Sequence, residues 1–250
     1  MRKLSIAFAV IGLVVALAHP ALARDDIGAI NDKAIQAHGG AEKLNSMKAF
    51  KAKTKGGVEI PGFGNVKFTQ ESMAVLSGKV KDVMEMDINN MKINVTTVYD
   101  GNQGWISAAG TTMDMDEKVL GLMKDTVYMM GLGRLSTLKD PSFKLTPLGE
   151  TQVNNRPAVG IKVAKEGHKD VNLYFDKGTG LLAKMEHRTI NPMGGQEYSE
   201  ERVIQEYQDV DGFKTAKKAE VLHDGKKFME AEVLEAKFVD NIDDSEFKKP

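Results

Sequence analysis

Met84, Met86 and Met91 stand at alternating positions on two neighbouring runs of sequence, and Met113, Met115, Met123, Met129 and Met130 crowd the stretch that follows. Thioether side chains are flexible and polarizable, so they fill irregular gaps and line surfaces that accept apolar ligands of variable shape. The chemistry this set offers is burial of hydrocarbon, with plain core filling as the alternative reading. The 14 methionines outnumber the 10 phenylalanines, which makes their grouping the most distinctive feature of the chain.

Bond-making chemistry is much harder to assemble. There is no cysteine, which removes disulfides, thiolate nucleophiles, cysteine zinc sites and iron–sulfur ligation together. No Gly-x-Ser-x-Gly elbow is present, and Ser77-Gly78 reads as a hairpin turn. Gly62-Phe63-Gly64 and Gly131-Leu132-Gly133 lack the third glycine of a dinucleotide site, and no Walker-type loop occurs. His38, His168, His187 and His223 are far apart with no i,i+4 pair, so they read as surface or turn residues and no metal is expected. Asp114-Met115-Asp116 begins like a calcium loop but lacks its central glycine and terminal glutamate; a helix N-cap fits better. Glu200-Glu201 and Asp243-Asp244 are carboxylate pairs with nothing to separate their roles.

The elements that must position these residues follow from periodicity. Ile27, Ile30, Ala34 and Ile35 fall at helical spacing, with Asp25 or Asp26 available as a cap and His38-Gly39-Gly40 as a stop. A short second helix is expected through Ala41-Glu42-Lys43-Leu44. From Phe50 the period becomes two: Val66, Phe68 and Gln70; then Asp82, Met84, Met86 and Ile88; then Met91, Ile93, Val95, Thr97 and Tyr99. Residues Asp116–Leu138 return to three- and four-residue spacing and read as a helix broken near Gly131 and Gly133. Seven further strand-like runs follow, from Phe143 to Phe238. Asn154-Asn155, Glu166-Gly167, Pro192-Met193-Gly194-Gly195, Asp211-Gly212 and Asp224-Gly225 are among the turns that separate them. The expected fold is mainly β with helices (α+β): an open antiparallel half-barrel of about eleven strands, covered by the N-terminal and mid-chain helices. Its concave apolar face requires such a cover.

Residues Met1–Ala23 read as a secretory signal peptide: Arg2 and Lys3, an apolar run over Leu4–Ala18, and a small-x-small ending at Ala21-Leu22-Ala23. The apolar run is shorter than the roughly 20 residues a membrane span needs. Residues 24–250 are then expected to be a single exported domain, soluble after cleavage, with 32 basic against 35 acidic residues. That balance argues against nucleic acid as a partner.

Signal peptide, N-terminal helix, β meander and a helical insertion over the open face together resemble the periplasmic lipoprotein-carrier superfamily, the LolA/LolB-like proteins. Three phrases carry the resemblance: Ala37-His38-Gly39-Gly40-Ala41-Glu42-Lys43-Leu44, Tyr99-Asp100-Gly101-Asn102-Gln103-Gly104-Trp105, and Val171–Asp176 followed by Thr179-Gly180-Leu181-Leu182-Ala183-Lys184. The resemblance implies an incomplete barrel whose helical lid covers a cavity for an acyl chain, with no metal and no cofactor. It also implies a latch arginine and an aromatic-rich cavity. Here aromatics are only 6%, methionines take their place, and none of Arg134, Arg156, Arg188 or Arg202 matches the latch.

The expected function is therefore non-catalytic: binding of a lipid or the acyl group of an acylated lipoprotein by an exported monomer, with envelope membrane proteins as further partners. The expected cavity wall and lid are Val80, Met84, Met86, Met91, Ile93, Val95, Leu122, Met123, Val127 and Met130. One alternative is a structural or interaction module of the cell envelope, which requires a filled interior and an apolar patch elsewhere. Another is an envelope hydrolase, which requires a polar constellation in the cleft, such as His187 or His168 beside a carboxylate.

Overall fold

The computed structural model describes residues 24–191 and 194–250; the expected signal peptide, Met1–Ala23, and Pro192-Met193 of one expected turn lie outside them. Helix α1 (Arg24–Ala37) includes Asp25 and Asp26 rather than starting after them, and it buries Ile27, Ala34 and Ile35. It stops at Gly39 and Gly40, both at positive φ, before α2 (Ala41–Ser46) buries Leu44. Gly39 has a second constraint: a Cβ there would meet the Gly212 carbonyl oxygen at 2.6 Å. Gly39→Ala is therefore expected to cost roughly 1–3 kcal/mol, read as a lower midpoint of thermal unfolding. An unchanged midpoint would show that this junction has room to relax.

Among the described residues thirteen antiparallel strands form one sheet. They are β1 (Ala49–Ile60), β2 (Gly64–Val75), β3 (Lys79–Ile88), β4 (Met91–Tyr99), β5 (Gly104–Ala108), β6 (Thr111–Asp114), β7 (Phe143–Val153), β8 (Arg156–Lys165), β9 (Val171–Asp176), β10 (Leu182–Ile190), β11 (Glu197–Val210), β12 (Phe213–His223) and β13 (Lys226–Val239). The order is β6-β5-β4-β3-β2-β1-β13-β12-β11-β10-β9-β8-β7, so the chain's two halves meet at β1–β13 and the sheet stays open at β6 and β7. The count exceeds the expected eleven. Strand β6, with four residues, is too short for alternation to stand out from a loop. Tight hairpins set the register, as at Asp224-Gly225, where both residues have the positive φ of a two-residue primed turn.

Between β6 and β7 runs α3 (Glu117–Leu132), capped by Asp116, whose carboxylate accepts from the Val119 amide at 2.8 Å. The helix ends at Gly133, and a 3-10 turn, Ser136–Lys139, completes the insertion. The main core lies between the helices and the second half of the sheet, with Ile161, Val163, Val171, Leu173 and Phe175 beneath Ile35, Leu132, Leu135 and Leu138. On the opposite face the chain's last stretch packs Ile242 and Phe247 against Val98 and Trp105. Ion pairs Lys79–Asp244, Lys81–Glu246 and Lys249–Asp114 fasten that stretch across β3 and on to β6.

The candidate ligand-binding cleft

Register decides which side chains share the helix-bearing face. Phe50 of β1 pairs with Phe238 of β13, and Phe238 packs on the main core, so Ala52, Thr54, Gly56 and Val58 lie on that same side. Following the pairs outward, Val66 and Phe68, then Val80, Met84 and Met86, then Ile93 and Val95 also lie there. Met84 and Met86 are half-buried and pack with Val58, Val66, Phe68 and Met229. Met91 begins β4 beside the hairpin tip and is 61% exposed, so it stands at the rim of this face and not within it.

The cleft under α3 lies on the other half of the same face. It has a volume of about 360 Å³, within the range of roughly 300–1,000 Å³ usual for small-molecule sites. Leu122, Thr126, Met129 and Met130 form its roof, and Leu182, Met185, Ile190 and Ile204 of β10 and β11 its floor. A second cavity of about 210 Å³ shares Met130, Gly133, Leu182 and Ile204 with it and continues toward Phe50, Phe213 and Phe238. Of the expected lid residues Leu122 and Met130 line the cleft, whereas Met123 and Val127 are half-buried elsewhere on α3. The six strand residues line neither cavity. Two of the ten expected residues thus line the cleft, five lie on the β3–β4 half of the same face, and Met91, Met123 and Val127 lie outside both. Met129, Met185 and Ile204, which also line the cleft, were not among the ten.

One end of the cleft is polar. His187 is buried and sits directly across from Glu200 on β11. Glu200 Oε2 is 3.6 Å from His223 Nε2, beyond hydrogen-bond length, and its Oε1 is 3.9 Å from Arg202. The His223 ring stacks on Phe228 at 3.9 Å, and Asp125 of α3 pairs with Lys169 at 3.0 Å. The surface or turn placement expected for the histidines therefore fails for His187, which strand pairing turns inward, whereas His38 does lie in the turn after α1 but is buried there. Burial lowers the pKa of His187 and of His223, and Glu200 only partly offsets it.

His38 ties α1 to the cleft wall. Its Nδ1–H donates to the Ala34 carbonyl at 2.8 Å, while Nε2 accepts from the Leu182 amide at 3.5 Å and lies 3.4 Å from the Tyr207 hydroxyl. Tyr207 in turn donates to the Leu182 carbonyl at 2.6 Å. Burial lowers the His38 pKa as well. A histidine held neutral in the fold contributes fully above its ordinary value of 6.5, and that contribution is lost as pH falls from this value through the lowered one of the folded state. Stability, and the unfolding midpoint with it, is thus expected to drop between pH 7 and pH 5, by at most about 1.4 kcal/mol per pH unit per histidine. His187→Gln should flatten the fall; a midpoint independent of pH over that interval would contradict the assignment.

An open antiparallel sheet with helices laid over an apolar cleft defines a class of fold, and solved structures share it. A LolA superfamily protein from Nitrosomonas europaea aligns with a TM-score of 0.55 and 9% identity, over 89% of this chain and 97% of that one. A domain described as an outer-membrane lipoprotein-sorting protein, from Vibrio parahaemolyticus, aligns with a TM-score of 0.52 and 10% identity, over 88% and 94%. A DUF1329 family protein from Desulfovibrio piger aligns with a TM-score of 0.50 and 13% identity, over 89% and 97%. At these identities the likeness is one of fold, and it is the fold the three sequence phrases pointed to. No family model and no curated protein matches the sequence.

Proposed function

We propose that the protein binds an apolar ligand, a lipid or the acyl group of an acylated lipoprotein, in the cleft beneath α3. The observation that carries this reading is the state of α3 itself. Leu122, Met123, Val127 and Met130 are all half-buried and none is sealed, so the helix is apolar on more than one side yet roofs an unfilled space. A helix packed on a filled core buries its apolar stripe, whereas here Leu122 and Met130, which line the cleft, stay half-open. Each methylene entering the cleft contributes about 0.8 kcal/mol, offset by the cost of opening the roof.

The reading is non-catalytic. His187 has a carboxylate beside it, as a general base requires, but no hydroxyl among the described residues hydrogen-bonds it. No helix among the described residues is long and apolar enough to cross a membrane. The signal-peptide pattern supports an exported domain, residues 24–250, which on this reading acts as a soluble monomer in an extracytoplasmic compartment. Native mass spectrometry of protein taken from its own cell envelope tests the whole reading. The expected spectrum is a monomer beginning at Arg24 with an adduct of lipid mass. A protein that never carries such an adduct, and takes up no hydrocarbon in vitro, is not a lipid carrier.

A further inference from the structure

Along the helix-bearing face of β1 through β5 the register brings up neutral side chains, with one exception. Asp82 lies between Val80 and Met84, facing Ser72 on β2 and Thr97 on β4. No lysine, arginine or histidine shares that face of these five strands. Its partners are neutral: Ser72 Oγ donates to Oδ1 at 2.5 Å and Gln70 Nε2 donates to the same oxygen at 2.8 Å. Gln70 Nε2 also lies 3.0 Å from Ser72 Oγ, so the three side chains form one polar island among methionines and valines. Both donors converge on Oδ1, and Oδ2 has no hydrogen-bond partner among the described residues.

A carboxyl group on an apolar face is costly unless something pairs with it. Burial raises the Asp82 pKa, and the two hydrogen bonds only partly oppose this. Filling the position would need no charge; a threonine, as at position 97, would serve. The second oxygen instead has no hydrogen-bond partner among the described residues, and no cation of the protein shares that face of β1 through β5. An N–H donor at the end of an apolar chain supplies what is missing, and a charge-assisted bond in such surroundings is strong.

We propose that Asp82 is the recognition point for the polar end of the ligand, and that this end is an N–H donor, an ammonium or an amide, in preference to an anion. This rests on the apolar-ligand reading above and adds the chemical class of the headgroup. It also extends the site from the cleft under α3 to the methionine-bearing strands, so that both groups of expected residues take part.

The test uses the full exported chain, wild type and Asp82→Asn, loaded at neutral pH with the fluorescent hydrocarbon diphenylhexatriene. Dodecylamine, N-dodecylacetamide and dodecanoate are then compared as displacing ligands. In the wild type the amine is expected to displace at roughly tenfold lower concentration than the carboxylate, with the amide between them. In Asp82→Asn the preference should vanish. Equal displacement by amine and carboxylate in a wild type that has taken up hydrocarbon overturns the headgroup assignment and leaves the apolar reading intact. Failure of the wild type to take up hydrocarbon overturns the apolar reading, and this assignment with it. Asp82→Ser reads the same loss if Asp82→Asn does not fold; an amine preference that survives the substitution also overturns the assignment, since Asp125 and Glu200 of the cleft would then supply it.

Discussion

His38→Ala lowers the unfolding midpoint by roughly 5–15 °C, corresponding to a loss of roughly 2–4 kcal/mol in a chain of this size. The substitution removes a buried ring and leaves the Leu182 amide without its acceptor at the wall of the second cavity. It also frees the end of α1, which the ring holds through Ala34 on one side and β10 on the other. Hydrogen exchange should therefore quicken first at the amides of Ile30, Ala34 and Ile35, ahead of the strands. His38→Gln, which keeps an acceptor, should recover part of the loss; Tyr207→Phe should cost less, about 1 kcal/mol, because it removes one hydroxyl hydrogen bond and leaves the ring in place. A His38→Ala protein within about a degree of wild type would show that the ring is a passenger.

Met130→Glu is expected to weaken hydrocarbon uptake by about thirtyfold or more, since it places a charge on the wall that the two cavities share. Glutamate is a good helix former and position 130 is only half-buried, so the unfolding midpoint should move by a few degrees at most. Met84→Glu is the companion measurement. If hydrocarbon sits wholly on β3 and β4, Met84→Glu abolishes uptake while Met130→Glu spares it. That outcome would remove the cleft beneath α3 from the binding site.

The sequence showed the β3–β4 half of the proposed site because two adjacent runs alternate cleanly across one tight turn. Met84 and Val95, or Met86 and Ile93, can be paired by counting back from Asn89-Asn90. The floor of the cleft was hidden because Met185 shares its strand face with His187 and Thr189, which weakens the apolar signal. Its roof comes from α3, more than fifty positions earlier, and no periodicity connects the two. The same distance concealed the role of His38, whose partner Tyr207 is 169 positions away. The pairing of His187 with Glu200 depends on the register of one hairpin, and a slip of a single residue would have turned Glu200 outward. The helix cap at Asp116, by contrast, is purely local and was readable from Asp116 and the apolar run after it.

The spread of methionine exposure has a chemical consequence. With no thiol in the chain, thioethers are its most readily oxidised sulfur, and an oxidant reaches them in order of accessibility. Met91 and Met113, 61% and 58% exposed, come first; Met84, Met86 and Met130 come later. Sulfoxide at the first two adds polarity at the margin of the sheet and leaves the interior greasy. Sulfoxide at the others turns polar the roof of the cleft, at Met130, and the apolar face of β3, at Met84 and Met86. Mild oxidation and severe oxidation therefore act on different parts of this molecule, and a methionine sulfoxide reductase that restores the inner three would restore those apolar surfaces with them.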